Sequence, residues 1–133
     1  MAVFIIDQSM KVESTQGTSI GVETIGTPGK NSISSIFSGS QKQQFYKQIP
    51  FRHNNFSSKK DLHLRLFSYL IFLTIQPCFK KRDVMVIDFE YQGNEQKISD
   101  LLISIFKRHT GIYLDRGDIR FENVGKQALF AIN

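Results

Sequence analysis

A run of four apolar residues, Val84-Met85-Val86-Ile87, lies between two segments with helical periodicity and constrains the fold more than any other feature. Such a run in that position is typical of a strand buried on both faces of a parallel sheet. The preceding segment, Leu62 to Leu73, is apolar nearly all round, which predicts a deeply buried helix from near Ser58 to Pro77. The following segment, Ile98 to Phe106, carries apolar residues at helical spacing. The sequence therefore predicts an α/β fold.

The remaining elements are predicted from shorter patterns. Residues 3–6 are apolar and predict a buried strand that ends at an acid, and residues 19–25 and 118–124 alternate as half-buried strands do. Residues 44–51 also alternate and are predicted as a third strand, after a Ser- and Gln-rich mobile loop over residues 31–43. The predicted order is β-β-β-α-β-α-β, which implies a mixed sheet.

The length of the chain, 133 residues, suits a single domain over residues 1–133, with a short helix or strand predicted from Lys126 to Asn133. The single cysteine excludes an internal disulfide and a cysteine-based zinc site. The longest uncharged stretch, Leu66 to Phe79, has 14 residues, whereas a spanning helix needs ~20. The first residues lack the pattern of a secretory signal. We expect a cytoplasmic protein with no membrane partner.

The charge of the chain is unevenly distributed. The formal net charge is +5, and residues 57–82 carry six basic side chains and one acid, whereas residues 83–133 carry six basic and eight acidic ones. A basic surface favours a polyanion such as DNA or RNA, and the run Lys80-Lys81-Arg82 is the best candidate to contact phosphate. Lys126, which follows a glycine, is another. A charge run of this kind is also typical of a solvated loop.

Acids follow two of the predicted strands. Asp7 closes the first strand, and Asp88, with Glu90, closes the central strand. The carboxyl ends of parallel strands are where open α/β sheets bind ligands, so parallel neighbours would bring Asp7 and Asp88 together. Paired carboxylates bind hard cations such as Mg²⁺ or Mn²⁺, which assist phosphodiester cleavage. Alternatively, each aspartate simply ends its strand and caps the next turn.

The order of three strands, helix, central strand, helix and strand resembles the ribonuclease H-like superfamily, which includes ribonuclease H, integrases and Holliday-junction resolvases. The motifs that carry the resemblance are Val3 to Asp7 and Val84 to Asp88, which match the first-strand and fourth-strand acids of that group. The resemblance implies a mixed sheet, metal ligation by Asp7 and Asp88, help from Glu90, and metal-dependent hydrolysis of nucleic acid.

Many members of the superfamily add an acid from the first helix and another from the last. Here the first predicted helix offers only Asp61, and the segment 126–133 has no acid. Glu122, Asp115 and Asp118 are substitutes among which the spacing selects none. The alternative function is a non-catalytic nucleic-acid-binding or protein-assembly module, which would use its basic face or its apolar first helix to bind a partner.

Overall fold

The protein is described by a computed structural model over residues 1–9, 12, 17–26, 31–48, 59–89 and 91–123. These residues form one α/β domain with a five-stranded mixed sheet and three α-helices. In chain order the elements are β1 (Val3–Ser9), β2 (Thr18–Ile25), β3 (Asn31–Phe37), α1 (Gly39–Gln48), α2 (Lys59–Ile75), β4 (Val84–Asp88), α3 (Glu95–Thr110) and β5 (Ile119–Glu122). The predicted α/β class is confirmed.

The sheet has the strand order β3-β2-β1-β4-β5. β2 pairs antiparallel with both β1 and β3, whereas β4 pairs parallel with both β1 and β5. A parallel neighbour needs a crossover connection, and the helices lie in these connections: α1 and α2 between β3 and β4, and α3 between β4 and β5. The carboxyl ends of β1, β4 and β5 therefore lie at the same edge of the sheet, which we call the carboxyl edge.

Side chains alternate between the two faces of the sheet, and helices cover one of them. Phe4 and Ile6 of β1, with Met85 and Ile87 of β4, belong to the buried apolar core that includes residues of α2 and α3. Burial of such side chains stabilises the domain by ~1.5–3 kcal/mol each. The alternate residues, among them Asp7, lie on the opposite face, which we call the second face.

α2 and α3 form as the sequence predicts. α2 is buried along most of its length and packs on α3, with the rings of Phe72 and Phe106 edge-on at 4.9 Å between centroids. Gly111 caps the carboxyl end of α3: it adopts a left-handed φ of 75° and donates its N–H to the carbonyl of Lys107. Asn94 precedes α3 as predicted, but its side chain makes no capping hydrogen bond. None of the helices in the described ranges is long and apolar enough to cross a membrane.

The predicted strand over residues 44–51 is wrong, because its described residues belong to α1. A capping box begins this helix: the Ser38 hydroxyl accepts a hydrogen bond from the N–H of Gln41 (3.1 Å), and the Gln41 side chain accepts one from the N–H of Ser38 (2.8 Å). Phe45, taken as a strand residue, packs instead from α1 against the core. The alternation in this segment therefore reflects the apolar side of a short helix that is otherwise polar.

The mobile loop predicted over residues 31–43 is occupied by regular structure, since it contains β3 and the start of α1. β3 lies at the edge of the sheet, where Ile33 and Phe37 pack toward the core. Ser32 and Ser34 alternate with them and are exposed. A serine-rich strand is stable at this edge because β2 satisfies one side of its backbone and water can satisfy the other.

Candidate functional site

Two aspartates, Asp7 of β1 and Asp88 of β4, lie side by side at the carboxyl edge. In the parallel pairing of β1 with β4, Ile6 is opposite Ile87, so the next residue along each strand is one of these aspartates. Because successive strand residues point to opposite faces, both carboxylates lie on the second face. The structure thus brings together the two residues that the sequence analysis paired as metal ligands.

The carboxyl groups of Asp7 and Asp88 are close enough to share a hydrogen bond. Burial raises the pKa of Asp7 above its ordinary value of 3.8, and the negative charge of Asp88 and the hydrogen bond to it raise this pKa further. A hydrogen bond from the backbone N–H of Gln8 acts in the opposite direction. Two carboxylates in contact repel each other unless a proton or a cation lies between them, so the pair favours binding of a positive species.

A third acid, Glu122, extends the pair along the carboxyl edge. Glu122 is directly opposite Asp88 in the parallel pairing of β4 with β5, and it lies on the same face. Asp7, Asp88 and Glu122 therefore stand in one row across three neighbouring strands that are ~4.8 Å apart. Sequence spacing did not separate Glu122 from Asp115 and Asp118, but the strand register does.

The other acids considered as ligands have structural contacts. Asp115 and Asp118 cap the 3-10 turn before β5, where the N–H of Asp115 donates to the Asp118 carboxylate at 2.9 Å. Asp61, in the first turn of α2, contacts the ammonium of Lys97 and so links α2 to α3. Through these contacts the three acids stabilise the fold.

Glu90, the remaining predicted catalytic acid, lies outside the described residues. Over the described ranges, no three His, Cys, Asp or Glu side chains converge as a group that could hold a metal ion. The described part of the site therefore consists of two carboxyl groups in contact, Asp7 and Asp88, with Glu122 one strand away.

A cleft of about 310 Å³ opens beside Asp7 on the second face. Gly21 lies opposite Asp7 in the antiparallel pairing of β1 with β2, and a Cβ added at Gly21 would meet no atom within 4 Å. Glu23 of β2 and the exposed serines Ser32 and Ser34 of β3 provide the other polar groups of the lining. Sequence reasoning missed this cleft, because it depends on the register of a strand in a segment predicted as a loop.

The basic run Lys80-Lys81-Arg82 is not part of this site. Its three side chains are exposed and lie in the turn that precedes β4, whereas Asp88 is the last residue of β4. A strand advances ~3.3 Å per residue, so the run and Asp88 are roughly 16 Å apart along the strand direction. The structure therefore places these predicted phosphate contacts at the opposite end of the sheet. Lys126 lies outside the described residues.

A different basic residue, Arg120, lies closer to the acids. It is exposed on β5 and opposite Val86, two residues before the position at which Glu122 is opposite Asp88. Residues two apart on a strand share a face, so Arg120 lies on the same face as the acidic row. The alternation of residues 118–124 was the sequence signal that could have identified it.

Comparison of the chain with known proteins gave no match to a protein-family model and no match to a curated protein. Its functional interpretation therefore depends on the arrangement of the residues at the carboxyl edge.

Proposed function

We propose that this chain is a ribonuclease H-like domain that hydrolyses phosphodiester bonds of nucleic acid with the help of Mg²⁺ or Mn²⁺. The proposal is supported by the strand order β3-β2-β1-β4-β5, in which three antiparallel strands precede two parallel ones. The observation that carries it is the contact between Asp7 and Asp88 at the carboxyl edge, the part of an open α/β sheet where ligands bind.

The residues at this edge fit a divalent cation. Mg²⁺ and Mn²⁺ prefer carboxylate oxygens, and Asp7 and Asp88 would hold the ion. The raised pKa of Asp7 supports this assignment, because burial and like charge make the ionised pair costly until a positive species joins it. When bound, such an ion supplies Lewis-acid stabilisation of the charge that develops on a phosphodiester during hydrolysis.

Other residues of the chain would orient the substrate around the pair. Glu122 would add a third carboxylate from the neighbouring strand, because it is in register with Asp88 on the same face. Arg120 would contact a phosphate that flanks the scissile bond, since a guanidinium group binds phosphate through two parallel hydrogen bonds. The run Lys80-Lys81-Arg82 would act from a distance, by attracting the polyanion. Glu90 keeps the assisting role that the sequence resemblance implies.

A non-catalytic nucleic-acid-binding or protein-assembly module is the second candidate. It is favoured by one observation: in the part of the chain that the structure describes, no third ligand converges on Asp7 and Asp88. In that case the aspartates would only terminate their strands, and a divalent cation would leave the stability of the domain unchanged.

Thermal melting with and without Mn²⁺ tests the two candidates. We expect the melting temperature of the wild type to rise with Mn²⁺, the rise to vanish with EDTA, and Asp88→Asn to lack it. Asp100→Asn is the matched control, because Asp100 is an exposed carboxylate on α3 that pairs with Arg116 at 2.8 Å. The same proteins are then incubated with end-labelled DNA and RNA. A wild type that neither responds to Mn²⁺ nor cleaves either polymer would favour the binding module.

A further inference from the structure

The turn before β4 holds the basic run Lys80-Lys81-Arg82 in a defined conformation. The Asp83 carboxylate accepts a hydrogen bond from the N–H of Lys80 (2.8 Å), and the N–H of Asp83 donates to the carbonyl of Lys80 (3.0 Å). Arg82, at the third position of this turn, has a left-handed φ of 78°, a conformation that favours glycine. An arginine in this conformation is costly for the fold, and strain of this kind is typical of binding sites.

A cavity of about 470 Å³ opens beside this turn, at the edge of the sheet where β1 and β4 begin. We call this edge the amino edge. Phe4, Ile33 and Pro77 give the cavity an apolar wall, and Lys80 also lines it. The volume lies within the range for small-molecule sites, ~300–1,000 Å³. Lys80 therefore belongs both to the basic run and to a cavity large enough for a small ligand.

Thr24 of β2 places an unsatisfied polar group in this cavity. It is opposite Phe4 in the pairing of β1 with β2, so the two side chains share a face, and both line the cavity. Thr24 is 4% exposed, and its hydroxyl has no hydrogen-bond partner among the residues that the structure describes. A buried hydroxyl without a partner is costly, so this group indicates a bound molecule that completes its hydrogen bonds.

We propose that the amino edge binds a nucleoside phosphate, with the phosphate on the basic run and the base in the cavity. The exposed side chains of the run supply positive charge, and an arginine forms two parallel hydrogen bonds with a phosphate. Phe4 and Ile33 offer an apolar surface to the flat rings of the base. The Thr24 hydroxyl both donates and accepts, and it bonds to the polar edge of the base.

The combination of these groups selects this class of ligand. A sugar phosphate would leave the apolar wall uncovered, and the acyl chain of a phospholipid would leave the Thr24 hydroxyl unsatisfied. A nucleobase has apolar faces and polar edges, which match both. Asp83 also lines the cavity, but the N–H groups of Ala2 and Lys80 already donate to its two oxygens. The site lies at the opposite end of β4 from Asp88, so it does not depend on the proposed hydrolysis.

Isothermal titration calorimetry in EDTA tests the site with three probes: adenosine 5′-monophosphate (AMP), adenosine and inorganic phosphate. We expect AMP to bind about tenfold more tightly than inorganic phosphate or better, because contact of a base with an aromatic ring adds to the phosphate contacts. Asp88→Asn should bind AMP as the wild type does. Equal affinities for AMP and inorganic phosphate would reduce the site to an anion patch and overturn the proposal.

Two variants separate binding from folding. Arg82→Gly should keep the melting temperature of the wild type, because glycine adopts a φ of 78° without strain, and it should weaken AMP binding about five- to tenfold. Lys60→Ala is the control for the loss of one charge, since Lys60 is exposed in the first turn of α2, whereas the cavity adjoins the turn that follows this helix.

Thr24→Val replaces the hydroxyl by a methyl group of similar size. It should weaken AMP binding about three- to tenfold while the melting temperature stays equal or rises, because an unsatisfied buried group is removed. Thr24→Ser keeps the hydroxyl and should retain binding within about twofold. Unchanged AMP affinity in Thr24→Val or in Arg82→Gly would overturn the proposal.

Cys78, the single cysteine of the chain, reports directly on the cavity, because it is exposed and lines it. Its alkylation by the neutral reagent N-ethylmaleimide should slow as AMP fills the cavity. An alkylation rate that does not change at saturating AMP would place the nucleotide elsewhere and overturn the proposal.

A free nucleotide and the end of a nucleic-acid strand both offer a nucleoside phosphate, and competition distinguishes them. If a 5′-phosphorylated oligonucleotide displaces AMP and the same oligonucleotide with a 5′-hydroxyl does not, the ligand is a strand end. If neither displaces AMP, the ligand is a free nucleotide. AMP binding without cleavage or a Mn²⁺ shift would retain this site and reject the nuclease, whereas cleavage without AMP binding would do the reverse.

Discussion

The strand β4 has an aspartate at each end, and their surroundings are opposite in kind. Asp83, just before the strand, is 7% exposed, and its two carboxylate oxygens accept hydrogen bonds from the N–H groups of Ala2 (2.9 Å) and Lys80 (2.8 Å). It ties the start of β1 to the turn that precedes β4. Asp88, the last residue of the strand, is half-buried and faces the carboxyl group of Asp7.

Asp83 is therefore an acid that stabilises the fold, whereas Asp88 is an acid that the fold holds in place. Fixed backbone donors satisfy the charge of Asp83, so this residue contributes to stability through its hydrogen bonds. Asp88 lies against the carboxyl group of Asp7, and bringing these two negative charges together costs free energy. A local arrangement that works against stability is a mark of a functional site.

Removal of Asp83 should have the largest effect on stability. Asp83→Ala leaves the buried N–H of Ala2 and the partly buried N–H of Lys80 without their acceptor, and we expect a loss of about 2–4 kcal/mol in the free energy of unfolding. Urea denaturation measures this loss, and Asp100→Ala should cost less than about 0.5 kcal/mol as an exposed control. If Asp83→Ala left the free energy of unfolding unchanged, Asp83 would not be a structural acid and its contrast with Asp88 would fail.

The acid pair at the carboxyl end of β4 should instead make stability depend on pH, through Asp7 of the neighbouring strand β1. The folded pKa of Asp7 is raised, so the native state holds its proton at pH values where the unfolded chain has lost it. The contribution of Asp7 is therefore fully present below pH 3.8 and is lost as the pH rises through the raised folded pKa. Asp7→Asn should gain stability relative to the wild type across that window.

Urea denaturation at a series of pH values measures this difference. The effect should be smaller than that of Asp83→Ala, because Asp7 is only half-buried. A difference between Asp7→Asn and wild type that stays constant with pH would mean that the pair does not perturb the pKa of Asp7.

The substitution Asp88→Asn sharpens the comparison further. It removes like-charge repulsion and a metal ligand together, so the domain without metal should keep its stability within about 0.5 kcal/mol or become slightly more stable. The Mn²⁺-induced rise in melting temperature and any cleavage should both be lost. If Asp88 were instead a structural cap, the variant would lose about 1 kcal/mol, and Mn²⁺ would affect neither protein.

Much of the fold could be predicted because its periodic segments are long and apolar. The apolar patterns of β4, α2 and α3 are each compatible with few structures other than a buried strand or a buried helix. α1 was missed because its residues are polar and its stability comes from distant contacts. Lys42 of α1 is 2% exposed, and its ammonium donates to the Thr18 hydroxyl (3.0 Å) and the Val12 carbonyl (3.3 Å). Local composition does not reveal a lysine that becomes buried in this way.

The same distinction between local patterns and distant contacts applies to the candidate site. Asp7 and Asp88 could be paired from the sequence, because each follows an apolar run and strand ends meet at one edge. Glu122 and the cleft at Gly21 could not, because they depend on which residues stand opposite each other on neighbouring strands. Register is a non-local property that is fixed by packing of the whole sheet.

The smallest expected effects concern the basic residues at the two ends of the sheet. Arg120, on the face of the acids, should contribute a direct phosphate contact, so Arg120→Ala should weaken nucleic-acid binding about five- to tenfold. Reversal of Lys80, Lys81 and Arg82 to Glu acts from the other end of β4. It should weaken binding to all sequences alike and reduce the dependence of affinity on salt, because phosphate contacts release counterions.

Fluorescence anisotropy over a series of salt concentrations distinguishes the two contributions. At high salt, screening should remove most of the difference between the charge-reversed variant and the wild type, whereas the defect of Arg120→Ala should persist because a paired guanidinium is less screened than a distant charge. If instead the defect of the charge-reversed variant persisted at high salt and that of Arg120→Ala vanished, the phosphate contact would lie at the end of the sheet near Asp83. Nucleic-acid binding would then be separate from the acid pair.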